Sequence, residues 1–195
     1  MKNLLPFGGE LYLIEGFYQE NNAQDLFDVL LDRLDWQEER IFVYGRWLKV
    51  PRLMCWYGDE GALYQYSGIN HQPLPWIEPL LSVKHKIESH WHCSFNSVMA
   101  NLYRSGSDSM GRHADDEKEL GQDPLIASLS LGEQRILKFR HQKTKEVLDV
   151  ILNHGDLLLM AGDIQHNWQH ELPKTKKQKA ERINLTFRKI LFNPH

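Results

Sequence analysis

Three short polar segments in the second half of the chain carry residue types that could do chemistry: His113-Ala114-Asp115, His170, and the run Arg182-Ile183-Asn184-Leu185-Thr186-Phe187-Arg188. Two imidazoles and one carboxylate are the ligand set that grips non-haem Fe(II) on one face and leaves the opposite face open. In an extended chain residues i and i+2 point to the same side, so His113 and Asp115 can reach one ion. His170 must then arrive from a different strand. A guanidinium forks onto a carboxylate, so the arginine pair suits a small dicarboxylate. His-x-Asp alone is a weak signal in a chain with 10 histidines. The combination with the arginine run is what predicts an oxygenase using iron and 2-oxoglutarate, with His113, Asp115 and His170 as its metal ligands.

The arginine run alternates polar and apolar residues strictly. As a strand it puts Arg182, Asn184, Thr186 and Arg188 on one face and Ile183, Leu185 and Phe187 on the other. Polar residues on a half-buried strand usually face solvent; inside a barrel the same four make a donor-rich wall. Asn101 and Tyr103 repeat the pattern around Leu102. A second cluster, His90-Trp91-His92-Cys93, lacks a partner Cys/His pair at zinc-finger spacing and reads as structural or surface. There is no HExxH, P-loop or GxGxxG phosphate loop.

These residues need a scaffold. At 195 residues the chain suits one domain with a sizeable core. A net charge of -3 gives no global signal for nucleic acid, so any such contact must come from local patches. The two cysteines suggest a reducing compartment rather than a disulfide scaffold. The N-terminal segment does not read as a secretory signal, and no apolar run approaches the roughly 18 residues of a membrane span. The expectation is a soluble intracellular monomer, cytoplasmic in a prokaryote or nuclear in a eukaryote.

Residues 11–14 read as a first strand. Asn21 or Asn22 is positioned to cap a helix reaching about Leu34, and Pro75 to open another reaching about Ser89. Aromatic and β-branched residues with glycines over 41–66 read as hairpins. From Phe95 the pattern is β, with strands expected at 95–103, 125–131, 134–140, 147–151, 156–161, 166–171 and 182–191. That is a sandwich or jelly roll, with the helices covering one sheet. Residues 104–124, broken by Gly106, Gly111, Gly121 and Pro124, read as a long functional loop.

The ordered motifs Asn101-Leu102-Tyr103-Arg104-Ser105-Gly106, Gly111 to Glu117, Trp168 to Pro173 and Arg182 to Arg188 resemble the AlkB family of Fe(II)/2-oxoglutarate dioxygenases. The likeness is strongest to the second animal homologue, which repairs alkylated DNA. It extends upstream to Val43-Tyr44-Gly45-Arg46 and to Leu63 through Gly68. The resemblance implies a mainly β, α+β fold: a double-stranded β-helix (jelly roll) over about 95–192. Helices and an N-terminal nucleotide-recognition lid would precede it in about 1–94, all within one dioxygenase domain. It assigns iron to His113, Asp115 and His170, and 2-oxoglutarate to Asn101, Tyr103, Arg182, Asn184 and Arg188. Within that set Arg182, Tyr103 and Asn184 match the residues on the distal carboxylate, and Arg188 and Asn101 lie toward the chelating end. Tyr44 matches an aromatic finger that fills the gap in a duplex, and Tyr66 an aromatic that stacks on the flipped base. Tyr64 and Ser67 adjoin Tyr66, and Glu117 matches an acidic contact to the base. Arg112, Ala114 and Gln169 depart from the animal pattern around the ligands.

The implied activity is oxidative demethylation of 1-methyladenine and 3-methylcytosine in DNA, releasing formaldehyde, succinate and CO2. An RNA or protein demethylase on the same core is the alternative. The lesions are cationic, and Tyr64, Tyr66 and Glu117 offer π-faces and negative charge to such a ring. From spacing alone the two tyrosines are core aromatics. Lys174, Lys176, Lys177 and Lys179 are a solvated loop or, at the mouth of the site, a phosphate grip. Arg46, Lys49 and Arg52 form a second basic set beside Tyr44.

Overall fold

In a computed structural model, residues 1–191 are described except positions 44, 63, 67 and 68, with backbone alone for 41–43, 64–66 and 69–71. In chain order the elements are β1 (Glu10–Ile14), α1 (Glu20–Arg33), β2 (Gln37–Val43), β3 (Arg46–Gly58), β4 (Tyr64–Tyr66), β5 (Ile69–His71) and α2 (Glu78–Trp91). There follow β6 (Ser97–Tyr103), β7 (Met110–His113), a 3-10 turn (Lys118–Leu120), β8 (Ile126–Gly132), β9 (Arg135–His141) and β10 (Val147–Leu152). The chain continues through β11 (Leu157–Ala161), α3 (Ile164–Asn167), β12 (Trp168–Leu172) and β13 (Arg182–Arg188).

Two antiparallel sheets face each other. Seven strands run in the order β1-β11-β8-β13-β6-β3-β2, and four in the order β10-β9-β12-β7. This is the expected jelly roll. The N-terminal strands are woven into it, since β1 pairs with β11 and β3 with β6.

The sequence explains the layering. Strand β13 sits between β6 and β8 and is buried along its whole length. Its apolar residues Ile183, Leu185 and Phe187 join Phe27 and Leu30 of α1 and Leu80, Val83 and Ile87 of α2 in one core. The helices therefore cover the outer face of the large sheet, as its apolar outer side requires. The polar face of β13 is turned toward the small sheet. There Leu137, Phe139, Trp168 and Leu172 form a second core with Tyr103 and Met160.

Several boundaries differ from the sequence expectations. Helix α1 starts at Glu20, and its N-cap is Gln19, with no side-chain cap, so neither Asn21 nor Asn22 caps it. Helix α2 starts at Glu78, with Pro79 in its first turn, where a missing N–H costs nothing. Pro75 lies three residues upstream, where the Trp76 indole donates to Asp59 at 2.6 Å. The expected strand at 166–171 is preceded by the short α3, and β13 ends at Arg188. The expected loop 104–124 contains β7, which pairs with β12. That strand matters most for the site.

Candidate metal and cosubstrate site

β7 and β12 deliver the two imidazoles. Their register sets His113 directly opposite His170, and the rings stand 4.3 Å apart. The next pair is Met110 with Leu172, so β7 spends three residues where β12 spends two. This bulge lets Met110 and His113 face the same side, which strict alternation would forbid. On β12 the alternation is regular: Trp168, His170 and Leu172 are buried, Gln169 and Glu171 less so. Phe139 of β9 lies on the other side of His170, ring to ring at 5.6 Å.

Asp115 follows two residues past the end of β7, in a stretch without ladder bonds. Its carboxylate nevertheless reaches the pair. The ligand atoms of His113, Asp115 and His170 all lie within 4.8 Å of one another. Among the described residues this is the one group of three such side chains that converges. His90, His92 and Cys93 form no such group: His90 Nδ1 bonds the Lys86 carbonyl at 2.7 Å, and His92 caps α2 in a left-handed conformation.

The electrostatics suit a metal. Burial pushes the His170 imidazole down to about 3, helped by neighbouring His113, so it stays neutral and able to donate. Burial alone would raise the Asp115 carboxyl. The Arg188 guanidinium, with His170 and His113, outweighs it and holds the group at about 2. Arg188 Nη2 donates to Asp115 Oδ1 at 2.8 Å. Among the described residues, buried Asp115 Oδ2 has no hydrogen-bond partner. His113 Nδ1 bonds the Gly111 carbonyl at 2.9 Å, which leaves Nε2 for a metal.

The polar face of β13 lines the cavity beside these ligands, with Tyr103, Ser128 and the apolar Met110, Leu137, Leu152, Met160 and Leu172. Arg182 is 2% exposed, yet among the described residues no carboxylate pairs with it. Its Nη2 donates to Ser130 Oγ at 2.9 Å, and its Nε has no partner among the described residues. Burial lowers its pKa to about 10, against the support of Tyr103. A guanidinium in that state is a seat for an anion. The Tyr103 ring lies 5.4 Å from the Arg182 guanidinium and 5.9 Å from that of Arg135. Asn184 donates to Ser128 Oγ at 2.8 Å and to the Leu129 carbonyl at 3.1 Å, and accepts from Thr186 Oγ1 at 3.0 Å.

Asn101 stands opposite Asn184 in the sheet, but its Oδ1 accepts from Arg52 Nε at 2.7 Å. Arg52 is 4% exposed, so it does not belong to a surface phosphate set with Arg46 and Lys49. Arg52 and Asn101 stand 49 positions apart, which hides that bond from any local pattern. Glu117 begins the turn Lys118–Leu120, two residues past Asp115. Tyr44 and Ser67 lie outside the described residues, as do the side chains of Tyr64 and Tyr66. Sequence reasoning missed Ser128, Ser130, Arg135 and Gln165. The alternation Ser128-Leu129-Ser130-Leu131 was the available signal for the serines.

A family model described as the 2OG-Fe(II) oxygenase superfamily matches residues 10–188. The chain belongs to that superfamily. Among its relatives, DNA oxidative demethylase ALKBH2 of Bos taurus is 42% identical over 160 residues, covering 78% of this chain and 58% of that one. The Homo sapiens ALKBH2 is 41% identical, with 61% of its length covered. The Homo sapiens alpha-ketoglutarate-dependent dioxygenase alkB homolog 3 is 35% identical, covering 98% of this chain and 70% of that one. The chain thus spans about three fifths of the ALKBH2 sequences it matches. The solved structure of OsALKBH1 superposes with a TM-score of 0.66 at 20% identity, over 95% of this chain and 100% of that one, which supports the jelly roll.

The superfamily's cofactor and cosubstrate are Fe(II) and 2-oxoglutarate, and the residues here fit both. A mixed imidazole and carboxylate set suits Fe(II), and Asp115 Oδ2 is a buried oxygen in want of a partner. The buried Arg182 supplies the cation that a second carboxylate needs.

Proposed function

We propose that the protein removes methyl groups from N-alkylated bases of DNA. The observation that carries this reading is the convergence of His113, Asp115 and His170 beside the buried Arg182, which pairs with no carboxylate among the described residues. The names of the ALKBH2 relatives support DNA as the substrate. Bound Fe(II) would let O2 act as the oxidant: one oxygen atom would end in succinate as 2-oxoglutarate loses CO2, and the other in the hydroxylated N-methyl group.

The chain's own residues orient and insulate that chemistry. His113, Asp115 and His170 hold the metal; Arg188 fixes one Asp115 oxygen and leaves the other to coordinate. Arg182, with Tyr103 and Asn184, receives the distal carboxylate, and Asn101 is held ready by Arg52 at the other end. Met110, Leu137 and Leu172 keep water from the cavity. The hydroxylated methyl group then leaves the base as formaldehyde. A base must quit the helix to reach a buried metal, and a damaged base unpairs at lower cost. Tyr44, Tyr64, Tyr66, Ser67 and Glu117 are the residues proposed to receive it. Exposed Lys174, Lys176 and Lys177 join the strands of His170 and Arg182 and suit backbone phosphates, whereas Lys179 is paired with Glu133 at 2.7 Å. The working unit is proposed to be a monomer.

The test compares succinate formation with oligonucleotides of methylated DNA, methylated RNA and a methylated peptide. Stimulation by DNA above the other two is expected. Equal or greater stimulation by RNA or peptide would replace the DNA assignment.

A further inference from the structure

Asp115 is the ligand with the least backbone support. It lies beyond the end of β7, where no sheet ladder fixes its position. Its carboxylate is steered by Arg188 through Oδ1. Its backbone is steered by a side chain from elsewhere: the Asp115 N–H donates to Gln165 Oε1 at 3.0 Å, across 50 residues of sequence.

Gln165 occupies α3, the short helix that leads straight into β12 and so into His170. It is 2% exposed. Its Nε2 faces only the Met160 sulfur, at 3.7 Å, among the described residues. Burying a primary amide against a thioether is unfavourable, because sulfur is a weak acceptor. A leucine or methionine would fill that space at lower cost. The amide gives the fold one strong bond, and that bond lands on the backbone of a ligand. It also ties the loop of the second ligand to the helix that leads into the strand carrying the third.

We propose that Gln165 is a positioning residue of the metal centre. It sets the Asp115 backbone against the start of β12, so that the free Oδ2 is aimed beside His170 before a metal arrives. Arg188 alone fixes one oxygen and leaves the chain free to pivot about it; the Gln165 bond removes that freedom. This inference rests on the proposed ligand set.

The test is Mn(II) binding to the metal-free protein, read from the electron paramagnetic resonance of free Mn(II), with thermal unfolding measured in parallel. Partners of this kind set metal affinity by about 10–100-fold. Gln165→Leu should bind Mn(II) about tenfold more weakly or worse. Gln165→Glu, which keeps an acceptor oxygen, should recover most of the loss. Gln165→Met replaces the leucine variant if that one does not fold. A leucine or methionine variant that loses thermal stability but binds Mn(II) like the wild type would overturn the proposal, leaving Gln165 a packing residue. So would a glutamate variant as weak as the leucine one. Asp115→Ala separates the two levels: if it too binds Mn(II) normally, the ligand set itself is wrong.

Discussion

A buried cation with no counter-ion among the described residues is the feature at residue scale that asks for a ligand. Arg182 lines the cavity, and among the described residues its Nε has no partner. Lysine at this position would keep the charge and lose the two-pronged geometry. Charge-assisted hydrogen bonds contribute about 1.5–3 kcal/mol each, and each 1.4 kcal/mol is about tenfold in binding. Arg182→Lys is therefore expected to raise the 2-oxoglutarate concentration for half-maximal turnover by roughly ten- to a hundredfold, with DNA affinity nearly unchanged. Cosubstrate saturation curves check this. Unchanged saturation with weakened DNA binding would move Arg182 to the nucleic-acid surface. The ligands act differently. His113→Ala, Asp115→Ala and His170→Ala should each abolish turnover while the chain still folds, because the cores do not depend on a metal. Iron-dependent turnover in any of the three, or a collapsed circular dichroism spectrum, would contradict the assignment.

The elements hold the site through bonds between segments distant in sequence. Arg135 on β9 is 4% exposed and donates to three backbone carbonyls, of Ser105, Asp108 and Pro173. It joins the turn after Tyr103 to the segment between His170 and Arg182. Arginine reaches the three carbonyls from two separate nitrogens, whereas lysine has all its donors on one, so at least one bond should be lost at about 1 kcal/mol. Arg135→Lys should lower stability by about 1–3 kcal/mol in urea unfolding and raise the 2-oxoglutarate requirement several-fold. Full stability in that variant would mean the carbonyls find other partners. These bonds also mark the limit of what sequence can say. The two faces of β13 are legible because its alternation is unbroken over seven residues. The candidate ligands are legible only in combination, because His-x-Asp is common among 10 histidines and gains meaning beside His170 and the arginine run. β7 is not legible, because a bulge interrupts its alternation and Gly111 marks a turn as readily as a strand. Arg52, Arg135 and Gln165 are invisible for another reason: each meets its partner only after the sheets close, and no local spacing encodes it.

At the scale of the whole molecule, the cavity lies between two sheets that the fold must bring together. A ligand that binds only the closed arrangement stabilises it by mass action, about 2.7 kcal/mol at a hundredfold excess over its dissociation constant. Mn(II) with 2-oxoglutarate should therefore raise the unfolding temperature by several degrees. Arg182→Lys should lose the 2-oxoglutarate share of that increase and Asp115→Ala the Mn(II) share. Equal shifts in all three proteins would mean that the ions bind elsewhere. The central claim is that this cavity strips a methyl group from a DNA base. Its most direct measurement is mass spectrometry of an oligonucleotide carrying one 3-methylcytosine, with formaldehyde assayed in the same reaction. With Fe(II), 2-oxoglutarate and O2, the expected result is loss of that single methyl group with one formaldehyde per repaired base, and no change with His170→Ala. An oligonucleotide left methylated while succinate accumulates, or repair that survives His170→Ala, would contradict it.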